Sequence, residues 1–201
     1  LAGFESYNYK YSYLQGSKEN LYNPNITEID NAIKNPQVNS YSQNYATEGI
    51  LARLQYNYAN KYFASASYRR DASSRFHPDN RWGNFWSVGA GWLMNKEAFL
   101  EDQDWIDMLK FKISYGLQGN DNLMYEGGLY RNYYPYMDQY TLANSNGDFS
   151  TSLYYKGNPD ITWETSHSFN TGFDFTFWGG KLSGSAEYFS RKTTDMLYFK
   201  P

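Results

Sequence analysis

The chain has 201 residues, a net charge of −3 and 20% aromatic residues, including 22 tyrosines and 6 tryptophans, at a mean hydropathy of −0.78. This balance lacks the basic footprint of a nucleic-acid binder, and the absence of cysteine excludes a disulfide scaffold and a thiolate metal site. No apolar run of about 18 residues is available for a transmembrane helix, although a membrane-crossing strand needs only about 9–11 residues, apolar on one face.

Period-2 alternation is the dominant signal along the chain. Tyr7, Tyr9, Tyr11 and Tyr13 set the beat of a first strand, expected over about residues 1–14, before a polar connection at 15–48. A second strand at 49–58 places Ile50, Ala52, Leu54, Tyr56 and Tyr58 against Arg53, Gln55 and Asn57. A tight turn at Ala59-Asn60 leads to a third at 61–70, with Tyr62, Ala64, Ala66 and Tyr68 on one face. The charged segment 71–81 feeds a fourth strand at 82–93, and the acidic connection 94–108 is expected to hold a helical turn. A fifth strand at 108–118 alternates Leu109, Phe111, Ile113 and Tyr115 with Lys110, Lys112 and Ser114. After a long polar segment at 119–162, a sixth strand at 163–178 sets Phe169, Phe173, Phe175 and Phe177 against Asn170, Gly172 and Asp174. Gly179-Gly180 reads as a hairpin turn into a seventh strand at 181–198.

These are about seven up-and-down antiparallel strands of an all-β chain, with compact turns at one rim and long loops at the other. Outer-membrane barrels are built this way. The apolar faces carry rings at the strand ends and small residues between. Trp82 and Trp92 lie ten positions apart, roughly 33 Å along a strand and about 23 Å in height at a 45° tilt. An apolar band about 25 Å tall with aromatic girdles is the expected match. The opposite face, with Arg53, Gln55, Lys110, Lys112, Asp174 and Glu187, suits a wet lumen. Seven strands are too few to close a bacterial single-chain barrel, so the chain reads as part of a larger wall.

Residues 48–118 and 157–197 resemble the barrel of SusC/RagA-type TonB-linked outer-membrane transporters. The resemblance rests on the Arg-Asp-Ala-Ser-Ser-Arg-Phe loop at 70–76, Asn-Arg-Trp-Gly at 80–83, Gly-Trp at 91–92 and "LKFKISYGLQGN" at 109–120. "NPDITWE" at 158–164 and "KTTDML" at 192–197 continue it in family order. Ala72, His77, Trp86, Lys112 and Gln118 depart from the family pattern. The resemblance implies a 22-stranded barrel in a Gram-negative outer membrane, with all of 1–201 in the barrel domain and the plug domain and closing strand outside it. It implies TonB-dependent import of oligosaccharides or peptides with a SusD-like surface lipoprotein, without a cofactor. The alternatives are an accessory subunit of another outer-membrane complex, or a soluble carbohydrate-binding β-sandwich.

Candidate sites follow from this frame. Arg69, Arg70, Asp71, Arg75, Asp79 and Arg81 are expected to pair with one another around the outer rim, with ligand contact as the alternative. Trp82, Trp86 and Trp92 are expected to face lipid, the first and last as interfacial anchors, with sugar stacking as the alternative. Tyr125, Tyr130, Tyr133, Tyr134, Tyr136, Tyr140, Tyr154 and Tyr155 belong to the long loop and are candidates for stacking on substrate or packing against a partner. Glu101, Asp102, Asp104 and Asp107 read as a solvated turn, and "GNDN" at 119–122 lacks the spacing of a calcium loop. His77 and His167 are too far apart in sequence to suggest a metal motif. No catalytic or nucleotide fingerprint is present, so neither an enzyme nor a metal site is expected.

Overall fold

The computed structural model describes residues 1–124, 131–145 and 147–198. It contains β1 (Ala2–Leu21), β2 (Ala32–Tyr58), β3 (Tyr62–Ser73), β4 (Trp82–Leu93), β5 (Ile106–Asn120), β6 (Gln139–Ser145), β7 (Asp148–Tyr155), β8 (Glu164–Phe177) and β9 (Leu182–Thr194). Seven form one sheet in the order β1-β2-β3-β4-β5-β8-β9, and β6-β7 form a separate ribbon. The expected helical turn is a single 3-10 turn, Met94–Lys96.

Residues Tyr7–Ala46 make a compact unit of their own. Here the expected polar connection at 15–48 is corrected: it is mostly strand, closed by a short 3-10 turn at Ile29–Asn31. Asn31 ties that turn, its Nδ2 donating to the Asn23 and Ile26 carbonyls, each at 2.7 Å. Tyr41 packs on Tyr13 at 5.0 Å and Tyr11 at 5.9 Å between ring centroids. Both faces of this ribbon are mostly exposed, so its side chains lack the hydropathy contrast that marks a strand in sequence.

In the other unit, which holds Leu1–Ser6 and the chain from Thr47 onward, register aligns like faces across β2, β3, β4, β5, β8 and β9. One row runs Tyr56, Ala64, Ala90, Ile113, Thr171, Tyr188, and the next Tyr58, Tyr62, Trp92, Phe111, Phe173, Ala186. The intervening rows belong to the opposite face: Gln55, Ser65, Gly89, Ser114, Asn170, Phe189, and then Asn57, Phe63, Gly91, Lys112, Gly172, Glu187, polar or small apart from Phe63 and Phe189. Because side chains alternate strictly, a one-residue slip would exchange the faces. The apolar face is uncovered, with Leu54 at 74% and Phe173 at 41% exposure. It is not clamped between two stacked sheets, as a sandwich core would be.

The tight turns have the backbone that hairpins require. Ala59 and Asn60 have φ of 52° and 51°, the left-handed pair of a type I′ turn. An L-alanine there costs roughly 1–2 kcal/mol, so Ala59→Gly should stabilise the full-length protein by about 1 kcal/mol. A higher urea midpoint in lipid vesicles would register that gain; an unchanged or lower one would contradict it.

Candidate functional site

The polar face of the sheet is organised around Lys112. Gly172 faces it on β8, and past that open position the ammonium pairs with the diagonal neighbour Asp174 at 2.8 Å and also contacts Glu187 on β9. Lys110 extends over the Phe63 ring at 5.4 Å. Small residues between these groups leave a shallow concavity of about 690 Å³, lined among others by Gln55, Asn57, Lys112, Asn170 and Glu187. Such a surface binds water and polar solutes rather than hydrocarbon.

At the long-loop end a packed core joins residues 74–81 to 121–163. Phe76 is 1% exposed and meets Trp163 at 5.3 Å; Phe85 meets the same indole at 5.3 Å, edge on. A Cβ at Gly83 or Gly119 would overlap the Phe85 ring, so these glycines make its space. The Trp163 Nε1 donates to the Arg81 carbonyl at 2.9 Å, and Asn80 Nδ2 donates to the Pro159 carbonyl at 3.0 Å. Buried Arg75 donates through Nη1 to the Asp121 carbonyl at 2.9 Å and to its carboxylate at 3.2 Å, while Ser73 donates to that carboxylate at 2.7 Å. A charge this deep needs a bonded counter-charge.

The base of the β6–β7 ribbon is held separately. Asp138 accepts from the Lys156 ammonium at 2.8 Å and from the Gly157 N–H at 2.9 Å. The lysine first, then the backbone N–H, hold this carboxyl below its usual range, and Asp138 raises the Lys156 ammonium above its own. A depressed carboxylate adds stability above its unfolded pKa of about 3.9, lost as pH falls through the folded value; the raised lysine adds stability below about 10.4, lost as pH rises through its folded value. The clasp is therefore expected to hold across neutral pH and loosen in acid. Protease cleavage at residues 138–157 should rise on acidification in the wild type, and Asp138→Asn should flatten that dependence. An acid response unchanged by the substitution would assign it elsewhere.

Each end of the apolar face carries rings. At the short-turn end Trp92 stacks on Tyr62 and meets Phe99, and its Nε1 donates to Glu97 at 3.0 Å. Trp105, Phe177 and Trp178 form a second cluster there. Toward the long loops lie Trp82, beneath the Arg70 guanidinium at 5.0 Å, and Trp86, packed on Tyr115 at 5.6 Å.

A family model for the TonB-dependent receptor-like β-barrel matches residues 2–201. The chain belongs to that family. TonB-dependent receptor SusC of Bacteroides thetaiotaomicron is 34% identical over 165 residues, 76% of this chain and 16% of that protein. TonB-dependent receptor P39 of Formosa agariphila is 30% identical over 204 residues, 100% of this chain and 19% of that protein. The solved RagAB peptide transporter superposes with a TM-score of 0.81 at 24% identity, over 97% of this chain and 21% of that one. The chain thus spans about a fifth of its relatives' length or less, and it is a SusC/RagA-type stretch of barrel wall.

Within this TonB-dependent receptor wall the sequence candidates separate. Arg69 pairs with Asp71 and with Glu5, both at 2.7 Å. Arg75 reaches Asp121 rather than another member of the rim set, Asp79 lies 3.4 Å from His77, Arg70 covers Trp82, and Arg81 offers its carbonyl to Trp163. Of the six, Arg69 and Asp71 pair with each other, and the partner of Arg75 comes from a loop 46 positions away. Trp82, Trp86 and Trp92 share the apolar face. Among the loop tyrosines, Tyr133 lies under Arg75, Tyr136 meets His77 edge on, and Tyr155 donates to the Pro135 carbonyl. The Tyr134 carbonyl accepts from Met137 N–H. Tyr140 and Tyr154 are 58% and 68% exposed; Tyr125 and Tyr130 lie outside the described residues. Phe76, Trp163 and Asp121 stand in motifs visible in the sequence, but neither they nor Phe85 are legible there as parts of a loop core. Phe85 falls in phase with the polar face, and only the glycines at 83 and 119 hint at a ring needing room.

Proposed function

We propose that this chain forms part of the barrel wall of a Gram-negative outer-membrane importer, driven through TonB, that takes up oligosaccharides or peptides with a SusD-like surface lipoprotein. The observation that carries this reading is the register: across β2–β3–β4–β5–β8–β9, uncovered apolar rows alternate with more polar rows in which Lys112, Asp174 and Glu187 form an ion-pair cluster. A wall with hydrocarbon on one side and an aqueous passage on the other needs that arrangement. The exposed rings of Tyr140 and Tyr154 on the loop ribbon are suited to stack on a sugar face or pack against the lipoprotein.

The test uses the full-length protein in its own cells. Deleting its gene should abolish TonB-dependent growth on at least one oligosaccharide or peptide source, and the tagged protein should co-purify with one surface lipoprotein. Normal growth on every such source, together with co-isolation of envelope-assembly components, would overturn import in favour of an accessory role.

A further inference from the structure

On β8 and β9 the apolar face carries no charge from Phe177 and Leu182 as far as Phe169 and Ser190, and then sets His167 directly opposite Lys192. Each of these two residues lies ten positions from the short-turn end of its strand, counting from Phe177 and Leu182. That is roughly 23 Å of height for strands tilted by about 45°, close to the full apolar band of about 25 Å. The pair therefore falls at headgroup level on the long-loop side. The Tyr115 hydroxyl lies 3.1 Å from His167 Nδ1. Together with Phe169, Ser190 and Thr194, these side chains line a concavity of about 390 Å³.

Two basic side chains directly opposite each other on one sheet face repel when both are charged, and Lys192 forms no ion pair among the described residues. A bound anion turns that arrangement into a favourable one. Phosphate suits it, because its several oxygens accept from an ammonium, an imidazole N–H and hydroxyls together. The surface below is apolar and uncovered: Phe173 is 41% and Tyr188 64% exposed. A ligand with an anionic head and hydrocarbon tails matches both parts.

We propose that this concavity binds the phosphate of an outer-leaflet lipid. Lys192 supplies the cation, His167 and Ser190 donate hydrogen bonds, and the acyl chains descend over Phe173 and Tyr188. The inference rests on the reading of this face as membrane-facing. It adds a specific headgroup site at the β8–β9 pairing.

The test is native mass spectrometry of the detergent-solubilised full-length protein, with phosphatidylglycerol, phosphatidylcholine or inorganic phosphate added. The expected result is retention of phosphatidylglycerol over phosphatidylcholine, weakened about tenfold or more in Lys192→Gln/His167→Gln and largely kept in Lys192→Arg. Equal retention by wild type and double variant would overturn the proposal, as would inorganic phosphate competing as strongly as the lipid. Unheated gel migration reports whether each variant still folds as a barrel; should the double variant not fold, Lys192→Gln alone must show the loss. A folded, outer-membrane wild type without lipid preference sinks the headgroup site alone. A wild type absent from the outer membrane sinks the membrane-wall reading beneath it.

Discussion

Leu54→Arg is expected to destabilise the full-length protein in a bilayer by about 2–4 kcal/mol, while Gln55→Arg one position along changes stability by less than about 0.5 kcal/mol. Leu54 is 74% exposed, lies opposite Ala66 and stands midway along the apolar run from Ile50 to Tyr58. In water such exposure would make the substitution almost free. In hydrocarbon the guanidinium must be desolvated or must snorkel past several residues to reach a headgroup. Gln55 points the other way, opposite Ser65 and into the concavity that holds Lys112 and Glu187, where a cation stays hydrated. Chemical unfolding in vesicles, followed by tryptophan fluorescence, separates the two variants. A larger cost at position 55 would invert the faces, and equal small costs would mean that neither face meets lipid.

The strands that could be read from sequence are those with one wet and one apolar face. On β3, β4, β5, β8 and β9 alternation set the phase of nearly every side chain, because exchanging the faces would put Lys112 and Asp174 into hydrocarbon. Where both faces are wet, that contrast vanishes, which is why residues 15–48 read as a polar connection, while the tyrosines at 7, 9, 11 and 13 mark only the start of the ribbon. The β6–β7 ribbon does alternate, with Tyr140 and Leu142 opposite Leu153 and Thr151 on one face and Thr141 and Ala143 opposite Ser152 and Ser150 on the other, but its strands of 7 and 8 residues are short runs inside a long polar segment. The Asn146-Gly147 dipeptide between the two strands is a further hairpin cue. Loop partners were less legible still. Arg75 and Asp121 meet because two strands and a turn intervene between their loops, a fact of topology that no local spacing encodes. The rim arginines could be recognised as groups needing partners, but which partners they take follows only from the sheet order.

Phe76→Ala is expected to remove about 3–5 kcal/mol from the local stability of the loop core while leaving the sheet assembled. Phe76 is 1% exposed in a chain whose other large apolar side chains are mostly open to their surroundings, so its loss creates a cavity that lipid cannot fill. The neighbours cannot readily close it. Trp163 is fixed by its hydrogen bond to the Arg81 carbonyl, and Phe85 already occupies the space left by Gly83 and Gly119. The strands draw their stability from their own hydrogen bonds and from the apolar face, so the loss should appear as local opening and not global unfolding. Limited proteolysis of the full-length protein should then cut within 121–163 much faster, with unheated gel migration unchanged. Trp86→Ala, which removes a larger ring from the apolar face, should leave that loop as resistant as in the wild type. If Phe76→Ala also leaves it resistant, the Arg75–Asp121 and Ser73–Asp121 bonds suffice to hold the loop, and the ring cluster fills space without fixing it.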